Sequence, residues 1–301
     1  MNKDNVTIII PTLNEEKGIG DVIDSFKENG FKNILVIDGH STDKTRDIAA
    51  SRGAKVILQS GKGKGKAVIE AIDKVETEYC ILVDADKTYD ANEADKLLAE
   101  LEKGYDQVIG NRLLEKNKKS FTRFNFFGNK LINNFFAFVY GICLKDICTG
   151  YRAFKTKSLR ELFLKESGFG IETEISVEAV KNNQKIAVVD ISYYKREGKT
   201  KLNPISDGFR IITLIIRLAR YQNPLLFFGA FGIFFTLIGI LLGIYIVYDW
   251  FLGISHSLLV TLDAIIITVG IMFFLAGLLG SIIINTKRDI IRQIKNLSEN
   301  K

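Results

Sequence analysis

Four short runs of β-branched and apolar residues mark the first part of the chain, at 6–10, 34–37, 55–58 and 79–83. Each is closed by residues that break regular structure, which is the pattern of buried strands. Between them the apolar positions change to helical spacing: Ile19, Val22, Ile23 and Phe26 lie within a predicted helix over 15–29 that stops at Gly30. Further helices are predicted over 44–52, with Ser41, Thr42 and Asp43 as candidate caps, and over 66–75. Strands alternating with helices call for an α/β fold with a mostly parallel sheet covered on both faces.

The pattern changes near Pro224. Residues 225–248 carry no charge, and neither do residues 264–284; about 20 apolar residues suffice to cross a bilayer. Two transmembrane helices are therefore expected. The connector 249–263 lacks Lys and Arg, whereas Arg210, Arg217 and Arg220 precede the first span and Lys287, Arg288, Arg292 and Lys295 follow the second. The positive-inside bias places the large N-terminal part and the tail in the cytoplasm, with Asp263 at the outer mouth of the second span. The resulting division is a cytoplasmic α/β domain over 1–202, an amphipathic juxtamembrane helix over 203–223, a membrane hairpin over 224–286 and a basic tail over 287–301. The segment 126–142, rich in Phe and Ile, suits either an interfacial helix or a core helix. Residues 1–5 are polar and the first apolar run is short, so no signal peptide is expected.

Composition narrows the chemistry. Cys80, Cys143 and Cys148 form no CxxC pair, and His40 and His256 are the only histidines, so neither a zinc site nor a disulfide framework is expected. The net charge of +6 and pI of about 9.0 suit an anionic membrane surface. Basic and aromatic residues do not interleave as they would in a nucleic-acid binder. Asp84 and Asp86 close the fourth strand, at the ligand-binding edge of an open α/β sheet. Two carboxylates there suit Mg²⁺ or Mn²⁺, a hard ion that completes its shell with water and phosphate oxygens. Gly61-Lys62-Gly63-Lys64-Gly65-Lys66 offers glycines and cations for a phosphate, but it lacks the trailing Ser or Thr of a nucleoside-triphosphate loop.

Read together, these motifs resemble a family. Pro11-Thr12-Leu13-Asn14-Glu15, Asp38-Gly39-His40-Ser41-Thr42-Asp43, Gly63-Lys64-Gly65-Lys66-Ala67 and Asp84-Ala85-Asp86 follow in order as in family 2 glycosyltransferases, which have the GT-A nucleotide-sugar fold. Val108-Ile109-Gly110-Asn111-Arg112 and Asp146-Ile147-Cys148-Thr149-Gly150-Tyr151-Arg152 are similar to the branch containing dolichol-phosphate mannose synthase and its polyprenyl-phosphate relatives. The likeness runs from residue 6 to about 202. It implies that Pro11, Asn14 and Glu15 line the base and ribose, that Asp38 hydrogen-bonds the base or ribose, and that Lys64 lies near the nucleotide. It also implies that Asp84 and Asp86 carry the metal, with Asp86 the direct ligand. The chain departs from the family at Gly39, where a second Asp is usual, and at Thr88, where some relatives place a Gln on the metal.

The acceptor side separates two chemistries. A hydroxyl acceptor needs a general base, for which Glu172 and Glu174 are candidates. A phosphate monoester, with a second pKa of about 6, is already ionised near neutral pH and needs cations to bind and orient it. By the resemblance, Arg112, Arg123, Arg196 and Lys201 converge on a lipid phosphate, and Asp86, Arg112 and Arg196 are the catalytic set. The expected reaction is inverting transfer of one sugar from a UDP- or GDP-linked donor to a polyprenyl or dolichyl phosphate on the cytoplasmic membrane face. A hydroxyl-directed glycosyltransferase and a non-catalytic membrane scaffold are the alternatives.

Overall fold

A computed structural model describes residues 1–196 and 204–299, leaving aside the side chains of 204, 220–222, 288–289 and 291–299. The chain divides into two compact units, 1–215 and 216–301.

In the first unit, β1 (Val6–Thr12), α1 (Ile19–Glu28), β2 (Asn33–Asp38), α2 (Thr45–Ser51), β3 (Lys55–Leu58), α3 (Lys64–Ile72) and β4 (Tyr79–Leu82) follow the alternation read from the sequence. They are succeeded by α4 (Ala94–Glu102), β5 (Gln107–Asn111), α5 (Arg123–Tyr140), β6 (Arg152–Lys155), α6 (Thr156–Arg160), α7 (Ile171–Lys181), β7 (Ile186–Asp190) and α8 (Pro204–Gln222), whose last residues belong to the second unit. The seven strands form one sheet in the order β3-β2-β1-β4-β6-β5-β7. All pairings are parallel except those of β6, which runs antiparallel to β4 and β5. Because β1 is buried on both faces, its side chains alternate between two cores: Ile8 and Ile10 pack with Val22, Ile23, Phe26 and Ile81, while Ile9 packs with Val68, Leu82 and Ile175.

The topology gathers loops at one edge. Chain order reverses on either side of β1, so the loops after β1 and β4 flank the crevice where such sheets bind ligands. The antiparallel entry of β6, with Arg152 opposite Leu82, brings residues 146–151 to the same edge. The parallel pairing of Asn111 with Asp190 does likewise for Arg112 and for residues 191–196. At the start of α1, Gly18 lies so close to the β4 loop that a Cβ there would fall 2.3 Å from the Ala85 carbonyl oxygen.

The second unit contains α9 (Pro224–Phe251) and α10 (Ser257–Glu299). Pro224–Phe251 and Ser257–Lys287 have mean hydropathies of 2.6 and 2.5, and only 17% and 6% of their most apolar windows are buried. Helices this apolar and this exposed have the character of membrane spans rather than of a soluble core. They approach closely through small residues: a Cβ on Gly232 would lie 2.8 Å from the Gly270 carbonyl oxygen.

Ile81, fully buried in the central strand β4, gives a direct check of the core. Ile81→Ala is expected to cost about 2–5 kcal/mol, read as a lower midpoint of thermal unfolding; an unchanged midpoint would contradict this packing.

Candidate active site

The loop after β4 carries Asp84 and Asp86, and each carboxylate is held from a different direction. Lys64, at the start of α3, places its Nζ 2.5 Å from Asp84 Oδ1 and 2.5 Å from Glu172 Oε1 of α7. Burial disfavours the charge on Asp84, but the Lys64 ammonium outweighs it and holds this carboxyl below the usual carboxylate range. Burial likewise opposes the Lys64 charge, and the two carboxylates more than offset it, so the ammonium persists well above its ordinary range. Asp86 behaves in the opposite way: burial and then the neighbouring Asp84 charge push it up. Thr88 donates its hydroxyl to Asp86 Oδ1 at 2.5 Å and its N–H at 3.2 Å. The position at which relatives carry a Gln therefore orients Asp86 here.

Arg196 bridges this loop to the loop after β1. Its Nη2 lies 2.6 Å from Glu15 Oε1 and its Nη1 lies 3.2 Å from Asp86 Oδ2. Four carboxylates, from Glu15, Asp84, Asp86 and Glu172, thus meet the cations of Lys64 and Arg196, leaving two negative charges in excess. Among the described residues no three His, Cys, Asp or Glu side chains form a metal cage. The donor set is an open pair of carboxylates with a surplus of negative charge. That suits a divalent ion sharing its shell with water and phosphate, so Asp84 and Asp86 fit Mg²⁺ or Mn²⁺.

On the other side of this pair, Arg112 is buried after β5. Asp146, fully buried, receives Arg112 Nε at 2.7 Å, Nη2 at 2.9 Å and the Arg112 backbone N–H at 3.1 Å. The guanidinium lies 5.2 Å from the centre of the Tyr193 ring and 5.8 Å from that of Phe121. Its Nη1 donates to the Tyr89 hydroxyl at 3.3 Å, which also accepts the Gly150 N–H at 3.0 Å. Gly150 in turn abuts Asp84: a Cβ there would come within 2.4 Å of Asp84 Oδ2. Residues 146–150 therefore touch the Arg112 clamp at one end and the Asp84 carboxylate at the other. Arg152, fully buried, fixes this loop by donating to the carbonyls of Ile147 and Thr149 at 2.6 and 3.1 Å, and it also donates to Ser176 Oγ at 2.9 Å.

The remaining sequence candidates divide between the crevice and its supports. Pro11 is paired with Ile37 in the sheet. Asn14 adopts a positive φ of 49° and its Oδ1 accepts the Thr42 N–H at 2.8 Å, joining the loops after β1 and β2. Asp38 is fully buried, and its Oδ2 accepts the Ser41 N–H at 2.8 Å, so its carboxylate stabilises the turn of its own loop. The glycines at 63 and 65 do not shape a phosphate cradle: a Cβ on either would strike the carbonyl oxygens of Ser167 or Glu166, and the amides of Gly65 and Lys66 donate to Ser167 O. Glu174, which burial pushes up, accepts the backbone N–H groups of Lys165 and Glu166 at 2.9 and 2.7 Å. Arg123 is exposed at the first residue of α5 and is not brought onto Arg112 or Arg196 by any described contact. Lys201 lies outside the described residues. Sequence reasoning gave no role to Tyr89, Asp146, Gly150 or Tyr193. Asp146 and Gly150 stood inside a recognised motif, whereas nothing local marked Tyr89 or Tyr193.

This crevice, on this sheet, is that of a GT-A glycosyltransferase. The profile of glycosyl transferase family 2 matches residues 7–163, and the chain belongs to that family. Glycosyltransferase AglJ of Haloferax volcanii is 42% identical over 298 residues, covering 98% of each chain. The dolichyl-phosphate hexose transferase of the same organism is 31% identical over 222 residues, 73% of this chain and 96% of its own. Among solved structures, glucosyl-3-phosphoglycerate synthase from Mycobacterium tuberculosis, in complex with Mn²⁺, uridine-diphosphate-glucose and phosphoglyceric acid, is similar in fold. It has a TM-score of 0.58 at 20% identity, and the match covers 71% of this chain and 78% of that one.

Gly150→Ala tests the geometry of the pair. Its methyl group would displace the Asp84 carboxylate, so Mn²⁺ affinity in the presence of nucleotide diphosphate should fall about tenfold or more by calorimetry. Unchanged affinity would show that Asp84 does not need this space.

Proposed function

We propose that the chain transfers a single sugar from a UDP- or GDP-linked donor, with inversion, to a polyprenyl phosphate such as dolichyl phosphate at the cytoplasmic face of a membrane. The observation that carries this reading is the engagement of both candidate bases. Glu172 is tied to Lys64, and Glu174 is held by two backbone amides. A hydroxyl acceptor would need one of them to take a proton. An ionised lipid phosphate needs no base, and the site offers cations instead. The similarity to a protein named dolichyl-phosphate hexose transferase supports the same acceptor.

In this reading the base and ribose lie against Pro11, Asn14 and Glu15, with Asp38 beneath them at the end of β2. Lys64 holds Asp84 ionised and in place, and Thr88 orients Asp86 through two hydrogen bonds. A divalent ion held by these two carboxylates would neutralise the charge that develops on the nucleotide diphosphate as it leaves. Arg112, stiffened by Asp146 and two rings, and Arg196, reaching in from the segment before α8, orient the lipid phosphate. A phosphate oxygen attacks the anomeric carbon in line. The new carbon–oxygen bond forms as the bond to the diphosphate breaks, and its electron pair departs with the nucleotide. No proton is transferred.

The flanking charges described above support a cytoplasmic catalytic unit, with α8 lying along the membrane surface before the chain enters α9. The test is incubation of the purified full chain with dolichyl phosphate, Mg²⁺ or Mn²⁺ and separate UDP- and GDP-sugars, followed by mass spectrometry of the lipid. The lipid should gain one sugar, and Asp86→Ala should abolish the gain. Nucleotide binding without glycosylated lipid for any donor would overturn the lipid-phosphate reading.

A further inference from the structure

α5 buries one face and leaves a second apolar face uncovered. Phe126, Ile132, Phe136 and Val139 point into the unit. Phe124, Phe127, Leu131 and Phe138, by contrast, are 61%, 64%, 65% and 72% exposed. At 100° per residue these four lie in one narrow stripe along the helix. Arg123 and Lys130, both exposed, fall together along one edge of that stripe. A stripe of three phenylalanines and a leucine left to water is costly, and soluble surfaces rarely keep one. Cations beside an apolar stripe are the arrangement of a helix lying in a lipid interface, its rings among the acyl chains and its cations at the phosphates.

We infer that the outer face of α5 is a membrane-seating surface, through which the catalytic unit rests on an anionic bilayer. Two observations select lipid as the occupant. The same chain carries two helices apolar enough to span a membrane, so a bilayer is always within reach. In addition, α5 ends on α8, the helix that leads to the first of those spans: Tyr140 donates its hydroxyl to the Ile215 carbonyl at 3.2 Å. The exposed Ile205 and Phe209 give α8 an apolar side of its own.

The seating has a consequence for the acceptor, which rests on the function proposed above. The first turn of α5 follows Phe121, whose ring stacks on Tyr193 at 4.8 Å and flanks Arg112. A helix lying at headgroup depth therefore sets the lipid phosphate plane level with Arg123 and beside the Arg112 clamp.

The inference is tested on the full chain in nanodiscs of phosphatidylcholine and phosphatidylglycerol, with nitroxide labels at single cysteines. The exposed Cys143 and the half-buried Cys148 are replaced by Ser; Cys80 is fully buried in the core and out of reach of the label. Labels are placed by Phe127→Cys and Phe138→Cys, with Glu161→Cys as an aqueous control and Leu241→Cys as a control on α9. Labels at 127 and 138 should relax faster with oxygen than with a water-soluble nickel chelate, as at 241, and the ratio should reverse at 161. If 127 and 138 behave like 161, the seating is overturned even where 241 confirms the span. Shielding of 127 and 138 from both reagents would also overturn it, because a second copy of the chain would then cover the face. None of these outcomes depends on transfer activity, so the inference and the proposed function fail separately.

Discussion

One ammonium group sets the arrangement of the crevice. Lys64 is largely buried between Asp84 and Glu172, and a buried charge is tolerated only when partners replace the water it has lost. Its two partners come from the β4 loop and from α7, so the contact fixes the Asp84 carboxylate relative to the opposite wall of the site. The packing of α3 enforces it: Gly63 and Gly65 let the chain run against the backbone of residues 166–167 closely enough for the lysine to reach inward. A side chain at either glycine would move Lys64 and release Asp84.

A second constraint is built on the first. The loop 146–150 carries Asp146 at one end and Gly150 at the other, so the Arg112 clamp and the Asp84 carboxylate share one rigid element. Arg152 keeps that element in shape through two carbonyl contacts, although burial pulls the guanidinium down to about 10. Arg112 and the Asp84 and Asp86 carboxylates are thereby held at a fixed spacing, which the in-line displacement proposed above would need. Arg196 ties the loop after β1 to the loop after β4, through Glu15 and Asp86.

Much of this was legible in the sequence where the signal is local. The strands β1 to β4 announce themselves as short apolar runs, and the Asp84 and Asp86 pair follows the last of them. The antiparallel β6 was not legible: it has four residues, begins with an arginine, and owes its place to pairing with Leu82 and Ile109. The role of Gly63 and Gly65 was not legible for the same reason, since what they face is a segment about a hundred residues away. Glu172 and Glu174 look alike in sequence, yet two residues on a helix point in different directions, one to Lys64 and one to a loop backbone. Gly39 has a similar explanation. Its N–H donates to Thr12 O at 2.7 Å, and a Cβ would sit only 3.1 Å from that oxygen, so the second carboxylate usual in the family has little room.

In the function proposed above, the carboxylates of this crevice balance charge and hold a metal, and do not move a proton. Glu172→Gln separates these roles when Mn²⁺ binding in the presence of nucleotide diphosphate is followed by electron paramagnetic resonance alongside the transfer rate. Removing one negative charge and loosening Lys64 should weaken Mn²⁺ binding about tenfold, with the rate falling in step. Unchanged Mn²⁺ affinity together with a collapsed rate would identify Glu172 as a base and contradict the account.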